Sequence, residues 1–245
     1  MCIRDSIDTT CMATKICFVS DLHMFSERSN SDRYSEQLQS AAHRSDLFIF
    51  GGDIFDFKWS KFQTIAKAIE NSVSWLQEFI SRFPTTKFCY LIGNHDCIAD
   101  FVSELEKLQN DNLLQLEHYY LRQHETVFLH GDVIDTDGTQ AELERYRSRW
   151  QHGVPTGKWM NRAYNAAVGC GLHRVAARRL NPPKRVGKNL CRYLNDINQW
   201  SGTKNVVYGH THWANDFMWD GVQFRNCGAA IKGLTFEPIE IQVDR

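Results

Sequence analysis

Short apolar runs alternate with helical stretches from Lys15 onward. "KICFVS" (Lys15–Ser20), "LFIFGG" (Leu47–Gly52) and "KFCYLIG" (Lys87–Gly93) have the length and composition of buried strands. Between the second and third, Ile65, Ile69, Val73, Leu76 and Ile80 recur at three- and four-residue steps, which predicts the apolar face of a long helix within Ser60–Phe83. Strands alternating with helices at this spacing predict crossover connections and parallel pairing. "TVFLHG" (Thr126–Gly131) reads as a fourth strand and "NVVYGH" (Asn205–His210) as a fifth. In the tail, "DGVQFRN" and "LTFEPIEIQV" read as antiparallel strands, with Asp220-Gly221 as a hairpin turn. The class this pattern predicts is α/β.

One segment departs from the alternation. No Asp or Glu occurs between Glu144 and Asp196, while Arg145, Arg147, Arg149, Lys158, Arg162, Arg174, Arg178, Arg179, Lys184, Arg185, Lys188 and Arg192 all fall there. Ala163, Ala167, Leu172, Val175 and Leu180 recur at helical spacing, and Pro182-Pro183 would separate two helices. This predicts a basic helical insertion from about Ala141 to Tyr193. Its arginines would either meet an anionic substrate or balance acidic surfaces of the core.

Composition adds bounds. The 245 residues suit one sizeable domain, expected over 12–245. Lys+Arg 28 against Asp+Glu 29 gives no overall field that calls for nucleic acid, which is not expected as a partner. No apolar run approaches the roughly 18 residues of a membrane span. Eight cysteines without a C-x-x-C pair, two of them (Cys17 and Cys89) inside apolar runs, point to reduced thiols and a cytoplasmic setting. "MCIRDS" (Met1–Ser6) reads like a translated sequencing adapter, so residues 1–11 are expected to be a non-native extension ahead of Met12.

The candidate chemistry sits where each apolar run hands over to a loop. After the first come Asp21 and His23, after the second Asp53 and Asp56, after the third Asn94, His95 and Asp96. After the fourth comes His130, and after the fifth His210 and His212. Ligands of an open α/β sheet bind outside the carboxyl ends of its strands, so five such ends can bring oxygen and imidazole donors to one edge. Taken singly, each piece reads as a loop residue or a helix cap. Their conjunction in this order predicts a metal site.

D-x-H, G-D-x-x-D, G-N-H-D, a later histidine and G-H-x-H together resemble the calcineurin-like metallophosphoesterase family. The resemblance runs from about Lys15 to the C-terminus, the basic insertion apart. It implies a two-sheet, mixed β-sandwich flanked by helices and a binuclear metal centre. Matched motif by motif, it assigns Asp21, His23, Asp53 and His212 to one metal, and Asp53, Asn94, His130 and His210 to the other. Two divalent ions are implied, manganese first and zinc or iron as alternatives, because mixed nitrogen and oxygen donors without thiolate suit all three. Ions roughly 3.5–4 Å apart can clamp a phosphoryl group and acidify a shared water, whose hydroxide would attack phosphorus in line. His95 is then the catalytic residue outside the ligand set, protonating the leaving oxygen or stabilising phosphoryl charge. Asp96 either orients that imidazole or caps a helix, and Asp56 either fixes a ligand histidine or caps a loop.

The insertion after "HGDVIDTDG" resembles the cap of UDP-2,3-diacylglucosamine diphosphatases, although that subgroup carries arginine where this chain has His95. The resemblance implies a phosphorylated small-molecule or nucleotide-linked substrate, with peripheral membrane contact through the cap. Arg145 and Arg149, four apart on a helix, are the candidates for binding its anionic part. A nuclease and a non-catalytic scaffold of the same fold are the competing readings. Lack of an aromatic-basic platform weighs against the first, and the filled motif positions weigh against the second.

Overall fold

The computed structural model describes residues 13–151 and 178–243. The predicted adapter-like extension and the helical spacing at Ala163, Ala167, Leu172 and Val175 lie outside the described residues.

Two five-stranded sheets form the centre. The first has the order β10-β1-β2-β3-β4, from β1 (Thr14–Val19), β2 (Leu47–Phe50), β3 (Lys87–Leu91), β4 (Gln115–Glu117) and β10 (Ile239–Val243). β1 to β4 run parallel and β10 pairs antiparallel with β1. The crossovers are α1 (Ser35–Arg44), α2 (Ile65–Ser81) and α3 (Ala99–Asn110), as the strand–helix alternation predicts. The second sheet has the order β5-β6-β7-β9-β8, from β5 (Tyr120–Gln123), β6 (Thr126–Leu129), β7 (Asn205–Tyr208), β8 (Asn215–Trp219) and β9 (Val222–Asn226). β6, β7 and β9 are parallel, with β5 and β8 antiparallel at the edges.

Apolar alternation sets the layers. In β2, Phe48 and Phe50 pack on Phe79 of α2, so Ile49 faces the opposite side. Phe18 of β1 stacks on Phe128 of β6 with ring centroids 6.0 Å apart, joining the two sheets face to face. The outer face of the second sheet, with Val127, Leu129 and Val206, buries Leu143 of α4 (Gln140–Ser148) and Val186, Leu190 and Leu194 of α5 (Pro183–Asp196). Pro183 opens α5 at its first turn, where a missing N–H costs nothing. Asp220 and Gly221 both have positive φ (50° and 77°), giving the primed hairpin turn that the sequence predicts between β8 and β9. The order of the elements differs from the sequence reading in one respect. β4 and β5 intervene before "TVFLHG", which is therefore the sixth strand. They are only 3 and 4 residues long, too short for an alternation pattern to register. Among the described residues, no helix is long and apolar enough to cross a membrane.

Candidate metal centre

The two sheets pack so that the C-terminal ends of β1, β2, β3, β6 and β7 meet at one edge. Each ligand-type residue leaves its strand within a few residues, and the backbone there is tightly turned. Asp21, His23, Asp53, His210 and His212 all have left-handed φ, at 54°, 45°, 53°, 68° and 57°. Such conformations cost of order 1–3 kcal/mol each away from glycine and cluster at working sites. Cross-loop bonds hold them: Asp21 N–H donates to the Gly52 carbonyl (3.1 Å), His23 N–H to that of Asp53 (3.0 Å), and Gly209 N–H to that of His130 (2.7 Å). Two glycines allow the close approach. A Cβ on Gly93 would lie 2.2 Å from Asp53 Oδ1, and one on Gly209 would lie 2.4 Å from Asp21 Oδ2.

Among the described residues, three groups of donors converge: two share Asp53, and the third is His23, Asp56 and His95. Of the two, Asp21, His23, Asp53 and His212 form one, and Asp53, His130 and His210 form the other, the donor atoms of each lying within 4.8 Å of one another. Asn94 joins the second group, its Oδ1 3.3 Å from His130 Nε2. His23 Nε2 and His212 Nε2 face each other at 3.0 Å, and His212 Nε2 is 3.3 Å from Asp21 Oδ1. His130 Nε2 is 3.4 Å from Asp53 Oδ2. Asp21, His23, Asp53 and His130 are fully buried. Yet Asp21 Oδ1 and Asp53 Oδ2 have no hydrogen-bond partner. Two buried carboxylate oxygens without a donor, surrounded by imidazole nitrogens and an amide oxygen, are what a divalent cation would satisfy. The donor set therefore fits the metals the motif resemblance implies.

The nitrogens facing away from this centre are anchored. His23 Nδ1 lies 3.3 Å from Asp56 Oδ2, His130 Nδ1 3.0 Å from the Gly51 carbonyl, and His210 Nε2 2.9 Å from Asp135 Oδ2. Anchoring of this kind fixes the tautomer and aim of a ligating imidazole. Asp56 thus lies beside His23, one of the histidines that the motif resemblance assigns to a metal. It also touches His95, with Nδ1 3.1 Å from Oδ1, and pairs with buried Arg28 at 2.5 Å. Burial alone would raise the Asp56 pKa; the charges of Arg28 and His95 reverse this and hold it well below the usual range. For His95, burial pulls downward, and the charges of Asp56 and Asp53 outweigh it, so the imidazole holds its proton more firmly than usual.

Asp96 is not the partner of His95. Its carboxylate accepts from Gly93 N–H (2.6 Å), Ile54 N–H (3.1 Å) and the Tyr90 hydroxyl (2.7 Å), so it staples the G-N-H-D turn to the neighbouring loop. Neither role read from the sequence matches these contacts: Asp96 does not touch His95, and the helix that follows has Ile98 at its N-cap with no side-chain cap. Its burial, and then the nearby charge of Asp53, raise its pKa to about 7.

The cap arginines also differ from expectation. Arg145 turns outward to pair with Glu142, and Arg149 is exposed at the C-terminal end of α4. Leu143 and Arg147, four apart, define the inward face of the helix, which rotates Arg145 and Arg149 away from it. Arg147 is the buried one: Nε lies 2.7 Å and Nη2 2.8 Å from the Asp132 carboxylate, and the same side chain donates to the carbonyls of Ile92 and His118. Arg185 and Arg192 pair with Asp135 and Asp137. Within the described residues, part of the basic run is therefore neutralised by acids just ahead of it.

The sequence reading passed over several residues at this edge. Trp150 packs on His95 with ring centroids 4.9 Å apart, and the Lys58 ammonium lies 4.3 Å from the same indole. On the side of His212, Arg178 lies 5.5 Å from the ring of Trp213. Arg28 gave no signal, because a lone arginine in a polar stretch reads as surface. Asp135 had one, lying five residues after His130 within the quoted "HGDVID".

The sequence profile of the calcineurin-like phosphoesterase family matches residues 14–214. No curated protein sequence matches the chain. Among solved structures, the chain is similar to vacuolar protein sorting 29 from Cryptosporidium parvum, at 14% identity over 94% of this chain and 86% of that one, with a TM-score of 0.41. It is also similar to phosphopantetheinyl hydrolase from Mycobacterium tuberculosis, at 15% identity over 90% and 91%, with a TM-score of 0.42. An archaeal phosphodiesterase is similar at 15% identity over 94% and 99%, with a TM-score of 0.40. The family profile takes in every strand end from Asp21 to His212, so the chain belongs to the calcineurin-like phosphoesterase family and is a metal-dependent hydrolase of phosphoester bonds.

Proposed function

We propose that the chain hydrolyses a phosphodiester or diphosphate in a nucleotide-linked small molecule at two divalent metal ions, with a UDP-linked acyl sugar as the leading substrate. The observation that carries the binuclear reading is the carboxylate of Asp53, common to both donor groups. Asp21, His23 and His212 would complete one position, and Asn94, His130 and His210 the other. Bound there, the two ions would clamp the phosphoryl group and acidify a water for attack on phosphorus.

The chain's own residues supply the rest. His95 Nδ1 is engaged by Asp56, which leaves Nε2 to give a proton to the leaving oxygen. The carboxylate of Asp56 holds the imidazolium form, and Arg28 balances that carboxylate once His95 has given up its proton. Asn94 contributes an oxygen donor without adding charge.

Two tryptophan–cation pairs support a substrate larger than a phosphate monoester. Lys58 with Trp150 lies on the His95 side, and Arg178 with Trp213 on the His212 side. Each offers a positive charge beside a flat apolar surface, suited to a diphosphate joined to rings or acyl chains. The basic cap would bring such a substrate from the cytoplasmic face of a membrane.

The test is turnover in Mn²⁺ of an aryl phosphate monoester, an aryl phosphodiester, simple nucleotides and UDP-linked acyl sugars. Highest kcat/KM on the UDP-linked compounds supports the proposal. Preferential cleavage of single-stranded DNA would make the chain a nuclease instead. Faster turnover of the monoester than of any diester or diphosphate would also overturn it.

A further inference from the structure

We propose that Asp135 is the positioning residue that fixes His210 for metal binding, and that Arg185 of α5 fixes Asp135 in turn. The inference rests on the binuclear reading above and adds to it a link between the cap and one metal position.

Among the described residues, three inward-facing histidines show the same arrangement at their far nitrogens. His23 leans on Asp56 and His130 on the Gly51 carbonyl, both from within the loops at the strand ends. His210 leans on Asp135, whose Oδ2 lies 2.9 Å from Nε2. An Nε2–H donated to this carboxylate would leave Nδ1 as the nitrogen free to bind a metal. The left-handed backbone of His210 and the bond from its N–H to Asp21 Oδ2 (2.8 Å) fix the main chain, and Asp135 fixes the ring.

Asp135 differs from the other two anchors in what holds it. It ends the single 3₁₀ turn Asp132–Asp135 and is 41% exposed, so its own loop does not enclose it. Its second oxygen, Oδ1, is 3.0 Å from Arg185 Nη2, and the same nitrogen donates to the Ile134 carbonyl at 3.2 Å. The other guanidinium end donates to the Leu180 carbonyl at 2.6 Å, just ahead of α5. A planar, forked guanidinium can hold both partners at once, which an ammonium cannot do with the same geometry. Thus the carboxylate behind His210 is set by the cap, whereas the Asp56 carboxylate behind His23 and the Gly51 carbonyl behind His130 belong to the loops of the core. A shift of α5 would be felt first at the metal position that His210 serves.

The experiment strips wild type, Asp135→Asn, Arg185→Gln and Arg185→Lys with chelator, titrates each with Mn²⁺ and counts bound metal per chain. Wild type should take up two ions. Asp135→Asn should keep one at wild-type affinity and weaken the other by roughly 10–100-fold, the usual effect of losing such an anchor. Arg185→Gln should act in the same direction but less strongly, with Arg185→Lys between it and wild type. The metal-free melting temperature of these variants should stay close to that of wild type. Uptake of both ions by Asp135→Asn with wild-type affinity would overturn the assignment. Equal weakening of both ions together with a lower metal-free melting temperature would overturn it too, marking a merely structural carboxylate. If that variant does not fold, nitrogen NMR of the metal-free wild type decides, since a proton on His210 Nε2 is expected and one on Nδ1 would contradict it. A wild type that takes up no metal would sink the proposed function, and the NMR result would still decide the relation between Asp135 and His210.

Discussion

Asp56 holds His95 and His23 with opposite oxygens of one carboxylate, Oδ1 3.1 Å from His95 Nδ1 and Oδ2 3.3 Å from His23 Nδ1. A single buried group therefore connects the proposed proton donor to a proposed metal ligand, and Arg28 keeps its charge in place.

His95→Ala and Asp56→Asn should consequently differ. His95→Ala should retain both metals and lose roughly 10²–10⁴-fold in rate on substrates with poor leaving groups, with a smaller loss on activated ones. Asp56→Asn should lose rate and also weaken metal binding, because His23 loses its anchor. Rate and metal uptake measured on the same preparations check this, and equal metal uptake by the two variants would separate Asp56 from His23.

Gly93→Ala should damage the site without damaging the core. The added Cβ would meet Asp53 Oδ1 at 2.2 Å and Asp53 N at 2.5 Å, so the shared carboxylate must move. Metal uptake should fall while the far-ultraviolet circular dichroism stays that of wild type. Wild-type uptake would mean that Asp53 has room to shift.

Arg147→Met should be among the most destabilising single changes in the cap. It leaves the Asp132 carboxylate buried at 1% exposure without its partner, and breaking a buried pair from one side costs about 3–5 kcal/mol. Arg145→Ala removes only an exposed pair with Glu142 and should change stability by at most about 0.5 kcal/mol. Urea unfolding of both variants measures the contrast.

This contrast shows where sequence reading succeeds and where it stops. The apolar runs around Phe18, Phe48 and Phe128 announce their strands, because burial on both faces leaves no polar position inside them. The motif residues from Asp21 to His212 are legible for a related reason: they fall among the few polar residues that immediately follow such runs. Three features are not local in the chain. Whether Arg145 or Arg147 faces inward depends on the rotation of α4, set by Leu143 against the second sheet. Arg28 and Trp150 reach the site from loops whose composition carries no period. The left-handed backbone at Asp21 and His210 is imposed by long-range bonds, not by residue type. Phe101, Leu105 and Leu108, at helical spacing, mark α3 in the same local way.

Lys58→Ala and Arg178→Ala should raise KM for a nucleotide-linked substrate several-fold and act less on a small aryl phosphate, which carries no second phosphoryl group or nucleoside for these cations to hold. Steady-state kinetics on the two substrates checks this. Equal effects on both would place these cations at the phosphoryl group itself.

The most direct test of the shared-carboxylate centre is the metal content of purified wild type and Asp53→Asn after equilibration with Mn²⁺. Asp53 is the one side chain common to both donor groups. Two ions per chain in wild type, and weakened binding at both positions in the variant with loss of hydrolysis, is the expected result. Two ions bound by Asp53→Asn at wild-type affinity, with hydrolysis intact, would contradict it.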